Sequence, residues 1–411
     1  MTKLIDQKRQ GDKENSKFFE KFLPKIYDRK EKSGLQQNIK QIRGITIQVS
    51  PHEANRYMAE LYLMTPYRFK KGYLTSTHKV YVLQIKPEYP TFFILEPLSE
   101  NYYDDFTAID TLYPRAAEKA NARYIGEIFQ CENSAEARKI LTNEEFRFQT
   151  EIKNDFLRNN NLHFTQISYF TNNVTGYTDL DLTDPNQLKI GEEFKLTEEE
   201  KTKLHQADEV HHHFGLNELV EGIDHLATRV LCNDREDALL EFLSLSNYYF
   251  WGGYNIEDMN SSTNICRNPN INYELHSPAK VFTANNTPFY VKSIEGLPSP
   301  TEDFVRNFGR RMHHIAYEVQ DGQREDGTKN IDYVVGKLMS TDIKFLAQII
   351  GECKDFPDLK QIFSKSSEYS LLITEYVQRC QGYEGFFSKE NVAYLTQAAG
   401  EDEKLKDSVK D

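Results

Sequence analysis

Two adjacent histidines open an apolar, strand-like run at residues 309–319, GRRMHHIAYEV. An imidazole can offer a neutral nitrogen to a transition metal, carry a proton near neutral pH, or simply form the polar edge of a strand. On a regular strand His313 and His314 point to opposite faces, so they cannot both reach one ion. Taken alone, the pair reads as a strand edge. The run His211, His212, His213 is a second candidate. Three consecutive residues share no face of a helix or strand, which points to a solvated helix or linker. Cys131, Cys232, Cys266, Cys353 and Cys380 are scattered, odd in number and contain no CxxC pair. That spacing argues against a disulfide framework or cysteine–zinc site and for a reducing compartment.

The bulk numbers bound what must position such residues. A chain of 411 residues with 39% hydrophobic and 12% aromatic content can bury a substantial core in two or three domains. A net charge of −13 disfavours nucleic acid or an anionic membrane as partner. No apolar run is long enough to span a bilayer. The start, MTKLIDQKRQGDKENSKFFEKFL, has neither a signal-peptide apolar region nor the acid-poor, Arg-rich pattern of a transit peptide, so a cytoplasmic location is expected.

Along the chain, the first forty or so residues read as a polar extension with one amphipathic patch, FFEKFLPKIY. IRGITIQV alternates as a strand; Ser50, Pro51 and Glu53 then suggest a capping box opening a helix. KVYVLQIK, TFFILEPLS and FTQISYFTN read as strands, with a helix running into a strand at NARYIGEIF. After a polar stretch the plan restarts with IDHLATRV, a turn at Asn233 and Asp234, and a leucine-faced helix. NINYELHSP, PFYVKSIE, RMHHIAYEV, LKQIFSK and YSLLITEYVQR read as strands, and FLAQIIGEC as a helix. IRGITIQV lines up with IDHLATRV, NARYIGEIF with RMHHIAYEV, and TQISYFTNN with LLITEYVQR. The chain is thus a strand–helix–strands plan in two copies, each copy doubled. The expected divisions are a polar extension at 1–41, a domain at 42–190, a linker at 191–215, a second domain at 216–400 and a charged tail at 401–411.

At these residues the sequence resembles the vicinal-oxygen-chelate superfamily, and within it the 4-hydroxyphenylpyruvate dioxygenases. The carrying motifs are IDHL (223–226), HHIAYEV (313–319), LKQIFSK (359–365), LLITEYVQR (371–379) and FFSKENVAYL (386–395). The resemblance covers about residues 42–400. It implies an α+β fold of two half-open β-barrel domains built from paired βαβββ modules, with Fe(II) held only in the second. Its two histidines and one glutamate fall on His225, His314 and Glu375. That set is chemically coherent. Glu375 lies in an otherwise apolar run, where a carboxylate needs a compensating cation. Two imidazoles and a carboxylate also form the facial triad of non-haem Fe(II) oxygenases. The equivalent positions of the first half align with Gly44, Tyr124 and Tyr169, none a typical Fe(II) ligand.

The resemblance further implies a substrate pocket of serine, asparagine and several glutamines, only partly kept here. Gln361 matches a glutamine and Phe363 and Phe387 match aromatic walls. His313 stands where a glutamine is usual, at a strand start whose backbone can bend toward the cup, and is expected with Gln361 to orient substrate. His276 falls on the asparagine, Pro300 on another glutamine, Val392 on an aromatic lid residue, and Ser261, or its neighbour Ser262, on the serine. Residues 278–299 read as an inserted hairpin or loop at the barrel mouth. The implied activity is oxidation of 4-hydroxyphenylpyruvate, or a related aryl 2-oxo acid, by O2 to homogentisate and CO2, a step of tyrosine catabolism. The substrate carries its own oxo acid, so no external 2-oxoglutarate is needed. The partners implied are that acid and O2, with assembly as a homo-oligomer left open. A hydroxymandelate-synthase-like enzyme attacking the benzylic carbon, and a non-catalytic barrel binding protein, are the alternatives.

Overall fold

A computed structural model describes residues 10–12, 17–151, 153–269, 277–291, 296–354, 356–383 and 385–407. The first half supplies β2 (Ile39–Gln48), β3 (Arg68–Leu74), β4 (His78–Gln84), β5 (Thr91–Pro97), β6 (Arg123–Cys131), β7 (His163–Phe164), β8 (Val174–Thr178) and β9 (Glu192–Phe194). The second supplies β10 (Val220–Arg229), β11 (Tyr249–Ile256), β12 (Ser261–Arg267), β13 (Ala279–Asn285), β14 (Arg311–Val319), β15 (Asp358–Phe363) and β16 (Ile373–Cys380), with β1 (Gln10–Gly11) added at its edge. The sheet orders are β7-β8-β6-β2-β5-β4-β3-β9 and β15-β16-β14-β10-β13-β12-β11-β1. Apart from the edge strands β9 and β1 they are the same order, including the parallel β2–β5 and β10–β13 pairs and the parallel β6–β8 and β14–β16 pairs. The internal repeat is therefore one of topology, and the fold is α+β with two mixed sheets.

The helices that matter to the site are α1 (Leu23–Ser33), α2 (Ala54–Met64), α3 (Glu198–His213), α4 (Arg235–Leu245), α5 (Pro300–Phe308), α6 (Asn330–Met339) and α7 (Lys389–Asp407). The largest apolar cluster runs from Phe19 on the approach to α1, through Ile45 and Tyr62, to Leu239, Ile315 and Tyr376, so one core serves both sheets. Polar ties cross the same boundary. Tyr376 Oη donates to Met64 O at 2.7 Å and Tyr177 Oη to Leu245 O at 2.6 Å. Lys280 pairs with both carboxylate oxygens of Glu127 at 3.0 Å. Among the described residues no helix is long and apolar enough to cross a membrane.

Several sequence expectations are corrected. VFTAN, read as part of an insertion, is the core of β13 and pairs in parallel with β10 from His225↔Ala279 onward. PFYVKSIE is not a strand: residues 289–291 are helical, and 292–295 lie outside the described residues. The closing strand of the first half is β8, whereas TQISYFTN before it forms a bridge and a turn; its alternation imitates a strand, but Tyr169 is 71% exposed. FLAQIIGEC is irregular, tied by bridges from Ile350 to Gln361 in β15 and from Phe345 to Ser364 just after it. α2 begins at Ala54 without a capping box; the Glu96 carboxylate accepts from the Ala54 amide at 3.0 Å instead. Cys353 and Cys380 form a disulfide, because the irregular segment returns to the end of β16. A separation of 27 residues carries no motif that would reveal this in sequence. His211 is buried with Nδ1 2.9 Å from Leu63 O, while His212 and His213 face outward on α3.

Candidate metal centre

Strands β10, β12, β13, β14, β15 and β16 all contribute side chains to one cavity of about 50 Å³, so the second sheet must curl around it as a half-open barrel. Its lining includes His225, Arg229, Ser261, Thr263, Val281, Thr283, His313, His314, Gln361, Phe363 and Glu375, with Thr301 from α5 and Val392, Leu395 and Thr396 from α7. Phe387, just before α7, closes it with its ring 5.1 Å from that of His225. His276 lies outside the described residues. A larger cavity of about 220 Å³ lies against the Lys280–Glu127 pair, away from these strands' ligand-bearing face.

Three atoms converge in the smaller cavity. His225 Nε2 is 3.0 Å from Glu375 Oε2, His314 Nε2 is 3.2 Å from the same oxygen, and the two nitrogens are 3.2 Å apart. These three residues form the group among the described residues able to hold a metal ion. Protons alone satisfy them poorly. His225 Nδ1 lies 2.6 Å from Asp224 Oδ1 and so carries the hydrogen of a neutral ring, leaving a lone pair on Nε2 aimed at a carboxylate oxygen. Glu375 Oε2 is buried and receives no well-directed hydrogen bond. Without a metal, a second proton on His225 would relieve the conflict. Burial disfavours that proton, yet Glu375 and Asp224 raise the His225 pKa to about 9. Burial, and then the charges of His225 and Arg229, push His314 well below the ordinary range and keep it neutral. A divalent cation fits this donor set of two imidazoles and one carboxylate.

The surroundings hold the three in place. Arg379 binds Asp224 through both terminal nitrogens, which overcomes the burial of Asp224 and holds its pKa below the carboxylate range. Gln361 Nε2 donates to Glu375 Oε1 at 2.7 Å, and Asn391 Nδ2 donates to Gln361 Oε1 at 3.0 Å. Asn391, Asp224 and Arg379 escaped the sequence reading, as did Arg229 and the threonines. Their types are ordinary at strand ends and helix starts, and only the folded sheet brings them inward.

His313 and His314 both line the cavity, which regular alternation forbids. The ladder explains it: Ala227 pairs with His314 and Thr228 with Met312, leaving His313 as the extra residue of a β-bulge. Nδ1 of His313 lies 2.8 Å from Nδ1 of His314, and its Nε2 is buried without a hydrogen-bond partner.

The first half provides a corrected control. Pairing registers align Gly44↔Ile128 with His225↔Ala316, Thr46↔Gly126 with Ala227↔His314, and Ile128↔Gly176 with Ala316↔Glu375. The positions matching the candidate ligands are therefore Gly44, Gly126 and Gly176, not Gly44, Tyr124 and Tyr169. A Cβ on Gly44 would meet Leu182 at 2.9 Å, and one on Gly176 would meet the Phe164 ring at 2.6 Å. Both plugs belong to an apolar cluster with Ile125, which occupies the corresponding bulge.

No family profile matches the chain, and no curated protein matches it in sequence. Among solved structures, a triple mutant of 4-hydroxymandelate synthase from Streptomyces coelicolor superposes with a TM-score of 0.59 at 11% identity, covering 89% of this chain and 99% of that one. A xylose isomerase-like TIM barrel/4-hydroxyphenylpyruvate dioxygenase fusion protein gives 0.54 at 12% identity over 92% of this chain, which spans 57% of the fusion. At such identities the likeness is one of fold. Repeated sheet order and these superpositions together assign the chain the vicinal-oxygen-chelate fold.

Proposed function

We propose that the chain is an Fe(II)-dependent dioxygenase of the 4-hydroxyphenylpyruvate type, consuming O2 and an aryl or related 2-oxo acid. With 4-hydroxyphenylpyruvate itself the products would be homogentisate and CO2. The observation that carries the reading is the convergence of His225, His314 and Glu375 at 3.0–3.2 Å inside a buried cavity. Fe(II) held by His225, His314 and Glu375 would supply a Lewis acid for the 2-oxo acid and a redox centre for O2.

The chain's residues do the rest. Asp224 fixes the orientation of His225, and Gln361 that of Glu375, so the ligand atoms need little reorganisation. If His314 donates its Nδ1 hydrogen to His313, the His313 hydrogen sits on Nε2 and points a donor into the cavity. That donor suits an oxygen of the bound acid. Phe363 and Phe387 form apolar walls, and Val392 and Leu395 extend the apolar lining.

Anaerobic reconstitution should give about one Fe(II) per chain, and His225→Ala or Glu375→Ala should abolish tight binding. Oxygen uptake across a panel of 2-oxo acids then tests turnover. Equal iron in wild type and both variants would remove the centre. Full iron with no uptake on any acid would make the protein a binding barrel instead.

A further inference from the structure

We propose that the larger cavity, between the two halves, binds a small primary amine, with its ammonium at Glu241 and its apolar body against Phe242, Leu245 and Phe282. The site is separate from the metal centre and does not depend on the 2-oxo-acid reading. Strand β13 divides the two cavities by alternation: Val281 and Thr283 face the metal side, whereas Lys280 and Phe282 face this one. Glu241, Phe242 and Leu245 come from α4 of the second half, and Thr165, Ser168 and Asn173 from the segment leading into β8 of the first. The cavity measures about 220 Å³. A cavity of about 150 Å³ accommodates benzene, so a ring with a short side chain has room here.

Charge points to a cation. The lining holds three carboxylates, Glu127, Glu145 and Glu241, against two bases, Arg147 and Lys280. Lys280 is committed to Glu127, with both oxygens at 3.0 Å. Arg147 and Glu145 stand exposed at the rim and offset one another in charge. Glu241 is left over. Its Oε2 accepts from Ser168 Oγ, and among the described residues no cation pairs with it. Burial pushes its carboxyl upward, opposed by the Ser168 bond alone. A partly buried carboxylate without a counter-ion is costly, and an ammonium relieves it. Asn173 is the independent second mark. It is 6% exposed, its backbone N–H donates to Thr171 Oγ and its C=O accepts from the Ser168 amide, yet neither Nδ2 nor Oδ1 has a hydrogen-bond partner. An ammonium has three hydrogens to donate, and the carboxamide oxygen suits one that Glu241 does not take. The excess of acids over bases disfavours a ligand that carries a carboxylate of its own.

Calorimetry on the full chain tests this with three ligands of similar shape: phenethylamine, 2-phenylethanol and 3-phenylpropanoate, which are cationic, neutral and anionic. Wild type should bind the amine at least about tenfold tighter than the alcohol, and the acid most weakly. Glu241→Gln should remove the preference for amine over alcohol, and Glu145→Gln at the rim should keep it. Glu375→Ala should keep it too, which separates this cavity from the metal cavity, where a carboxylate also attracts cations. The wild-type preference and its survival in Glu375→Ala do not need Glu241→Gln, so poor folding of that variant leaves the test intact. Equal affinity for amine and alcohol overturns the inference, as does a preference that survives Glu241→Gln or disappears in Glu375→Ala.

Discussion

Gln361 has both ends of its amide occupied by protein: Nε2 by Glu375 and Oε1 by Asn391. That makes it a positioning residue for Glu375 more than a contact for substrate. Gln361→Ala should weaken metal affinity by about 10–100-fold, the usual effect of removing a ligand's hydrogen-bond partner. Asn391→Ala should show a smaller loss in the same direction. Competition against a chromophoric chelator measures both, and unchanged affinity in Gln361→Ala would separate the amide from the metal. The convergence of the two histidines and the glutamate was legible in sequence because several motifs, each weak alone, follow one another in order at plausible intervals. Arg229 was not, because an arginine ending a strand ordinarily faces water, and nothing in one dimension says that β10 ends inside a cup.

At the scale of elements, the decisive features are the bulges in β6 and β14 and the glycines facing the first cup. The bulge at His313 overturns strict alternation, which sequence periodicity assumes throughout. The misplaced Tyr124 and Tyr169 have a related origin. TQISYFTN alternates better than VTGYT, yet the glycine in VTGYT is what the pairing needs. A Cβ on Gly126 would stand 1.9 Å from Val174 O, backbone of the neighbouring strand. Gly126→Ala should therefore cost roughly 3 kcal/mol or more. The protein that still folds should carry the same iron per chain. Denaturant titration gives the first quantity and metal analysis the second; loss of iron from well-folded Gly126→Ala would place a metal function in the first half.

For the molecule as a whole, α1 acts as a bolt between the sequence start and the second half. Lys30 is fully buried, and its Nζ donates to Ser246 O and Tyr248 O, both at 2.9 Å. Burial, reinforced by Arg29, lowers its pKa from 10.5 to about 7. Between those values the unfolded chain binds more protons at this site than the folded one. Stability from Lys30 is thus complete above the unfolded pKa, shrinks as pH falls, and is gone below about 7. The slope in that window is at most about 1.4 kcal/mol per pH unit. Comparing unfolding midpoints of wild type and Lys30→Met from pH 7 to 10 should show the slope in wild type alone; parallel curves would mean that Lys30 titrates normally. The polar composition of the N-terminal stretch concealed this role, because a lysine in sequence gives no sign of which carbonyls it will reach.

The plugged cup of the first half has a historical consequence. If the two halves descend from one ancestral unit, the first has passed a point of no easy return. Placing histidine or glutamate at Gly44, Gly126 and Gly176 would drive new side chains into Leu182, Phe164 and the β8 backbone. A second metal site would require clearing the plugs as well as restoring ligands, and each intermediate would be crowded or hollow. The division of labour between the halves is locked by volume, and it can persist without any selection acting on metal binding itself.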